Sequence, residues 1–142
     1  MKIYNTGFTC STFDLFHAGH VAMLREAKEV CDYLIVGLQT DPSIDRPEKN
    51  KPLQSIAERH IQVQACKYVD EVIPYESEED LLKLMHLINF DVRIIGEEYE
   101  KKDFTGKDYA LANFIELYYN KRHHNLSSSN LRYKMENNND GN

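Results

Sequence analysis

The sequence predicts a single α/β domain in which five parallel strands form a sheet covered by helices on both faces, a three-layer sandwich. Three observations predict it. Short apolar runs bounded by turn residues alternate with segments whose apolar residues recur at helical spacing. Residues 33–38 are continuously apolar, as in a strand buried on both faces. A chain of 142 residues is long enough for one such core and too short for two.

In chain order, residues 2–9 are rich in β-branched and aromatic side chains and form the first expected strand. A turn follows, and the run 21–31 is an amphipathic helix. The strand at 33–38 then completes a βαβ unit. Residues 39–52 hold Pro42, Pro47 and Pro52 and read as a loop at that strand's carboxyl end, where open α/β sheets receive ligands. Ser55 opens a second helix, with Ile56, Val63 and Cys66 inward and Glu58 completing a capping box. Residues 69–74 form a third strand, with Val72 and Ile73 in the core. Residues 78–89 form a helix with an acidic first turn and Leu81, Leu84, Met85 and Ile88 on one stripe. A fourth strand at 91–96, a polar loop at 97–108, a short helix at 108–113 and a fifth strand at 114–119 complete the sheet. The domain is expected to span 1–134, with 135–142 a disordered tail that has nothing to bury. Strands and helices alternating at this spacing make the architecture Rossmann-like, and the lack of a GxGxxG run disfavours a dinucleotide fold.

A net charge of -6 argues against nucleic acid as a partner. No apolar run approaches bilayer length, and residues 1–5 carry no signal-peptide apolar region, so no membrane partner and a cytoplasmic location are expected. Cys10, Cys31 and Cys66 form no CxxC pair and read as thiols in a reducing compartment, with no protein metal centre.

The chemistry concentrates at Thr12-Phe13-Asp14-Leu15-Phe16-His17-Ala18-Gly19-His20, where the first strand hands over to a helix. Unpaired amide N–H groups and the helix dipole favour an anion there. His17 and His20 are three residues apart and can lie on one side of the entering turn, while Gly19 lets a phosphate approach the backbone. This string resembles the TFDLxHxGH signature of the cytidylyltransferase branch of the HxGH nucleotidyltransferases, nearest in pattern to the glycerol-3-phosphate cytidylyltransferases. The run Lys67-Tyr68-Val69-Asp70-Glu71-Val72-Ile73-Pro74 and a second segment, Arg122 to Leu131, resemble the same enzymes.

The resemblance implies transfer of a CMP group from CTP to a small phosphorylated alcohol with release of pyrophosphate. Mg²⁺ would be held mainly by the nucleotide phosphates, and the assembly would be a homodimer. It implies catalytic roles for His17, His20 and one of Lys49 and Lys51. Thr12, Phe13, Asp14, Gly19, Arg122, Asn125, Ser127, Ser128 and Ser129 would bind the nucleotide, and Asp41, Arg59 and Glu97 the acceptor. Asp14 alternatively shapes the turn. In the second segment a Ser-rich helix start and the Arg122 fork suit phosphate oxygens on physical grounds as well. Ser11 stands where the related enzymes have Gly, Glu97 where they have Asp, and the acidic run 76–80 where a basic acceptor contact is expected. Two other readings are an adenylyltransferase acting on a sugar phosphate, which the segments 96–99 and 105–107 also resemble, and a non-catalytic nucleotide-binding module.

Overall fold

The computed structural model describes residues 4–121. The expected tail and the second signature segment, with Arg122, Asn125, Ser127, Ser128 and Ser129, lie outside them. The elements are β1 (Tyr4–Ser11), α1 (Ala18–Glu29), β2 (Cys31–Gln39), α2 (Ile56–Gln64), β3 (Glu71–Tyr75), α3 (Glu78–Leu87), β4 (Val92–Gly96), a 3₁₀ turn (Glu97–Tyr99), α4 (Lys107–Ala112) and β5 (Glu116–Asn120). The strands form one sheet in the order β3-β2-β1-β4-β5, every neighbouring pair parallel.

Alternation along the strands divides the core between two faces. Leu34, Val36 and Leu38 of β2 join Leu24 and Ala27 of α1 and Val63 of α2 on one side. Ile35 of β2 joins Phe8, Leu81 and Met85 beneath α3 on the other, with Tyr109 of α4 packed against them. The chain therefore runs outward from β1 to β3 with its helices on one face, then crosses back to β4 on the far side of β1. At that reversal the loops leaving β1 and β4 part to opposite faces and open a crevice at the carboxyl edge, the place where such sheets bind ligands.

Several boundaries differ from the sequence expectation for local reasons. Helix α1 starts at Ala18, three residues early, because His17 takes an extended backbone and caps it. Val30 closes that helix and a buried Cys31 already opens β2. Cys66 lies beyond the end of α2 and packs on the core from the following turn. Helix α3 stops at Leu87 because Ile88 turns extended, with ψ 149°. The fifth strand begins two residues late: Phe114 adopts φ 59° just past α4 and is 96% exposed, while the Ile115 N–H bonds back to the Ala110 carbonyl at 2.9 Å. That is the left-handed ending of a helix, and the apolar pair Phe114-Ile115 masks it in the sequence.

Gly106, the residue before α4, sits at φ 88°, and a Cβ there would overlap the Met85 sulfur. Only glycine meets both demands without strain. Gly106→Ala is expected to lower the unfolding free energy by about 1–3 kcal/mol, read as a shift of the urea midpoint at constant m-value.

Candidate active site

The first turn of α1 is built by its own histidines. The Gly19 N–H donates to His17 Nδ1 at 2.9 Å, and the His17 N–H donates to His20 Nδ1 at 3.3 Å, a reciprocal capping box made of imidazoles. The rings stack with centroids 3.9 Å apart, and Phe16 stacks on His20 while the edge of Phe13 meets it. An Nδ1 that accepts a hydrogen bond carries no proton, so each neutral ring holds its proton on Nε2. Burial lowers the pKa of His17. Burial, with the neighbouring His17 adding to it and Asp14 opposing, holds His20 down to about 3. At neutral pH the pair offers uncharged N–H donors.

The turn before them is pinned from across the sheet. Phe13 and Leu15 both have φ 51°, a conformation that costs L-residues of order 1 kcal/mol or more each. Between them a buried Asp14 accepts from the backbone N–H of Leu53 at 2.9 Å and of Gln54 at 3.0 Å, and the Leu15 N–H donates to Gln54 Oε1 at 2.8 Å. Arg59, 1% exposed, closes the arrangement: Nε donates to Gln54 O at 3.1 Å, Nη1 to Thr12 O at 3.0 Å and Gln39 O at 2.6 Å, and Nη2 to Thr40 O at 2.5 Å.

A cavity of about 280 Å³ opens at the carboxyl edge between β1 and β4. Thr9 to Thr12 and Gly96 form its strand ends, and Arg46 and Lys49 reach it from the loop after β2. Tyr75 lines it from the end of β3, Glu78 from the start of α3, Arg93 from within β4, and Glu98, Phe104 and Thr105 from the segment after β4. The residues expected to act together are thus distributed. Thr12 and Lys49 line this cavity, whereas His17 and His20 lie outside its lining on the adjoining helix start. Lys51 instead borders a shallower depression beside Asp41 and Arg59. Asp41 Oδ1 accepts from the Ser43 hydroxyl and N–H, which lower its pKa, and so shapes its own loop. The carboxylate of Asp14 and the guanidinium of Arg59 serve the backbone, a positioning role rather than an open ligand contact. Glu97 is exposed in the 3₁₀ turn, and from that turn it is its neighbour Glu98 that lines the cavity. Sequence reasoning missed Arg46, Glu78 and Arg93 as cavity residues. A charged residue inside the apolar run Val92-Arg93-Ile94-Ile95 was the available signal for the last.

A doubly wound parallel sheet with a helix start and a basic crevice at its reversal point defines a phosphate-receiving α/β domain. A family model described as cytidylyltransferase-like matches residues 8–134. The chain belongs to the cytidylyltransferase-like family. It is 32% identical over 127 residues to the glycerol-3-phosphate cytidylyltransferase of Bacillus subtilis, covering 89% of this chain and 94% of that one. It is 40% identical over 102 residues to the ethanolamine-phosphate cytidylyltransferase of Arabidopsis thaliana, which spans 68% of this chain but only 23% of that relative. Among solved structures, the lipopolysaccharide core biosynthesis protein from Thermoplasma volcanium shares the fold, with a TM-score of 0.66 at 22% identity over 84% of this chain and 97% of that one.

Two outcomes test this site. Arg59→Lys keeps the charge but loses the fork, leaving buried carbonyls without donors; it is expected to cost about 3 kcal/mol or more in urea unfolding. Below about pH 6.5 the unfolded chain takes up a proton that folded His20 refuses until about 3, so stability falls as pH drops through that window. From pH 6.5 to 5 the wild-type protein is expected to lose on the order of 1 kcal/mol more than His20→Asn, whose Oδ1 keeps the cap and does not titrate.

Proposed function

We propose that the protein transfers a CMP group from CTP to a small phosphorylated alcohol and releases pyrophosphate. The observation carrying this reading is the imidazole capping box at the head of α1, beside a crevice holding Arg46, Lys49 and Arg93. The family and the named activities of its relatives support the nucleotide and the acceptor class.

The acceptor's phosphate monoester is largely dianionic at neutral pH, its second pKa being about 6. One of its oxygens attacks the α-phosphorus of CTP, the bond to the β-phosphate oxygen breaks, and pyrophosphate leaves with that electron pair. No proton has to be removed from the nucleophile. The protein's task is to hold two anions in line and stabilise charge on the five-coordinate phosphorus. His17 and His20 would donate from Nε2 to the α-phosphoryl oxygens. As neutral donors they add no net charge, so the triphosphate would be met by Lys49, by Arg46, which also faces Glu78 at 3.7 Å, and, outside the described residues, by Arg122. The related enzymes imply Mg²⁺. Among the described residues no cluster of three or more His, Cys, Asp or Glu is placed to hold a metal, and the carboxylates of Asp14 and Asp41 are engaged. This donor set suits an ion carried on the nucleotide phosphates, where it would draw charge from the leaving pyrophosphate.

A cytoplasmic homodimer is part of the same reading. No described helix is long and apolar enough to cross a membrane, and the described Cys10, Cys31 and Cys66 are unbridged. The dimer rests on the resemblance, and gel filtration with light scattering reads it.

The test incubates the protein with Mg²⁺, CTP or ATP, and phosphorylated acceptors, following pyrophosphate. Release with CTP is expected; release with ATP alone would make it an adenylyltransferase. His17→Asn and His20→Asn put an accepting Oδ1 in place of the capping Nδ1 but remove the Nε2 donor. Each is expected to lose on the order of a hundredfold or more in kcat while melting close to wild type. Near-wild-type turnover in either would remove the assigned role.

A further inference from the structure

Arg59 and Arg93 are both almost fully buried, at 1% and 3% exposure, and they are satisfied in opposite ways. Arg59 gives its donors to four carbonyl oxygens. Arg93 makes one firm bond, from Nη1 to Thr105 O at 3.0 Å. Its remaining contacts are soft, to the Met85 sulfur at 3.5 Å and the Cys10 sulfur at 3.4 Å, and its Nε is buried without an acceptor. Among the described residues no carboxylate lies within ion-pair distance of it. A guanidinium taken from water with donors unspent is costly unless a counter-ion arrives. The rings of Phe8 and Phe104 face it at 5.8 and 5.3 Å, which holds the fork in place but supplies no anion.

Arg93 lines the cavity from deep in the sheet. It pairs in register with Phe8, whereas β1 runs on to Ser11 before the histidine turn begins. Those three residues set the Arg93 backbone roughly 10 Å below the end of β1, and the side chain rises along the cavity until Nη2 meets Cys10 Sγ, one residue short of that end. An acceptor whose phosphate lies at the rim would therefore present its opposite end to Arg93. Neither acid of the cavity forms an ion pair with it: Glu78 lies 3.7 Å from Arg46, and Glu98 is exposed.

We propose that Arg93 receives a carboxylate at the far end of the acceptor, making the acceptor a phosphorylated hydroxy acid rather than a neutral phosphorylated polyol. This rests on the transferase reading above and narrows its second substrate. A planar monoanion matches one fork held between two aromatic rings, whereas a second phosphate would bring two negative charges to a single cation.

The test uses 3-phosphoglycerate and glycerol 3-phosphate, which differ only in carboxylate against hydroxymethyl, with ethanolamine phosphate as the cationic control. With CTP and Mg²⁺, wild type is expected to show at least tenfold higher kcat/KM for 3-phosphoglycerate. Arg93→Met is expected to bring that ratio to about one, and Arg93→Lys to restore part of it. Calorimetric titration of the three compounds without nucleotide reads the same preference as affinity, independent of turnover and of whether the variants fold. A wild-type preference for glycerol 3-phosphate or ethanolamine phosphate, or a ratio unmoved in Arg93→Met, overturns the proposal while leaving CTP-dependent transfer standing. Tighter binding of 3-phosphoglycerate with no pyrophosphate released from any nucleotide supports the proposal and overturns the transferase reading.

Discussion

The arrangement of the crevice depends on one buried guanidinium. Arg59 projects from the first turns of α2 and bonds the carbonyls of Thr12, Gln39, Thr40 and Gln54, so the ends of β1 and β2 and the start of α2 are tied to one rigid plane. Loops at a carboxyl edge otherwise leave their carbonyls to water and move independently. Here the donors are spent inside the protein, and the desolvation of the cation is offset by four acceptors and by the nearby charges of Asp14 and Asp41. Asp14 extends the tie by holding the amides of Leu53 and Gln54. The left-handed Phe13 and Leu15 on either side of it persist because this network over-determines them. An arginine that looks like a substrate contact in the sequence is spent on making the site rigid.

In the proposed reaction the histidine pair would use different atoms of the same rings for folding and for chemistry. The Nδ1 atoms finish the helix start, and that choice leaves the proton on Nε2, the position from which a phosphoryl oxygen can be addressed. Because burial keeps both rings uncharged, the donors do not attract the triphosphate by themselves. In the proposed reaction, attraction would come from the lysine and arginine side chains of the loops, while the rings would act at short range on the geometry of the reacting phosphorus. Separating capture from orientation in this way would let an acidic protein of net charge -6 receive polyanions, since only the field inside the crevice matters.

Much of the fold is legible in the sequence because a doubly covered parallel sheet writes short apolar strands and amphipathic helices plainly, as at Tyr33 to Leu38 and Leu81 to Met85. The capping pair Ser55 and Glu58 is legible too, since its physics is local. What escapes is whatever depends on a distant partner or a single dihedral angle. Phe114 looks like a strand residue until its backbone turns left-handed. Lys49 and Lys51 are two residues apart and alike in composition, yet the loop delivers one to the cavity and the other to a neighbouring depression. The acidic run at 76–80 reads as opposing an anionic substrate, but in the fold Ser77 and Asp80 cap α3 and Glu78 lies beside Arg46.

Arg93 stands at the boundary of what a pattern can say. A cation in the middle of a strand buried on both faces contradicts the local rule, and such contradictions are tolerated where function compensates for them. Its neighbours are consistent with that trade. Phe8 and Met85 are core residues that also form the walls around the guanidinium, and Gly106 has the conformation that brings Thr105 close enough for its carbonyl to take one donor. The core on the α3 face is thus partly a holder for one charge, and a purely apolar residue at this position would pack there with fewer constraints on the loop after β4. In the loop after β4, the Thr105 carbonyl and the Phe104 ring hold that charge oriented, so the floor of the crevice carries a cation where the sheet is otherwise apolar.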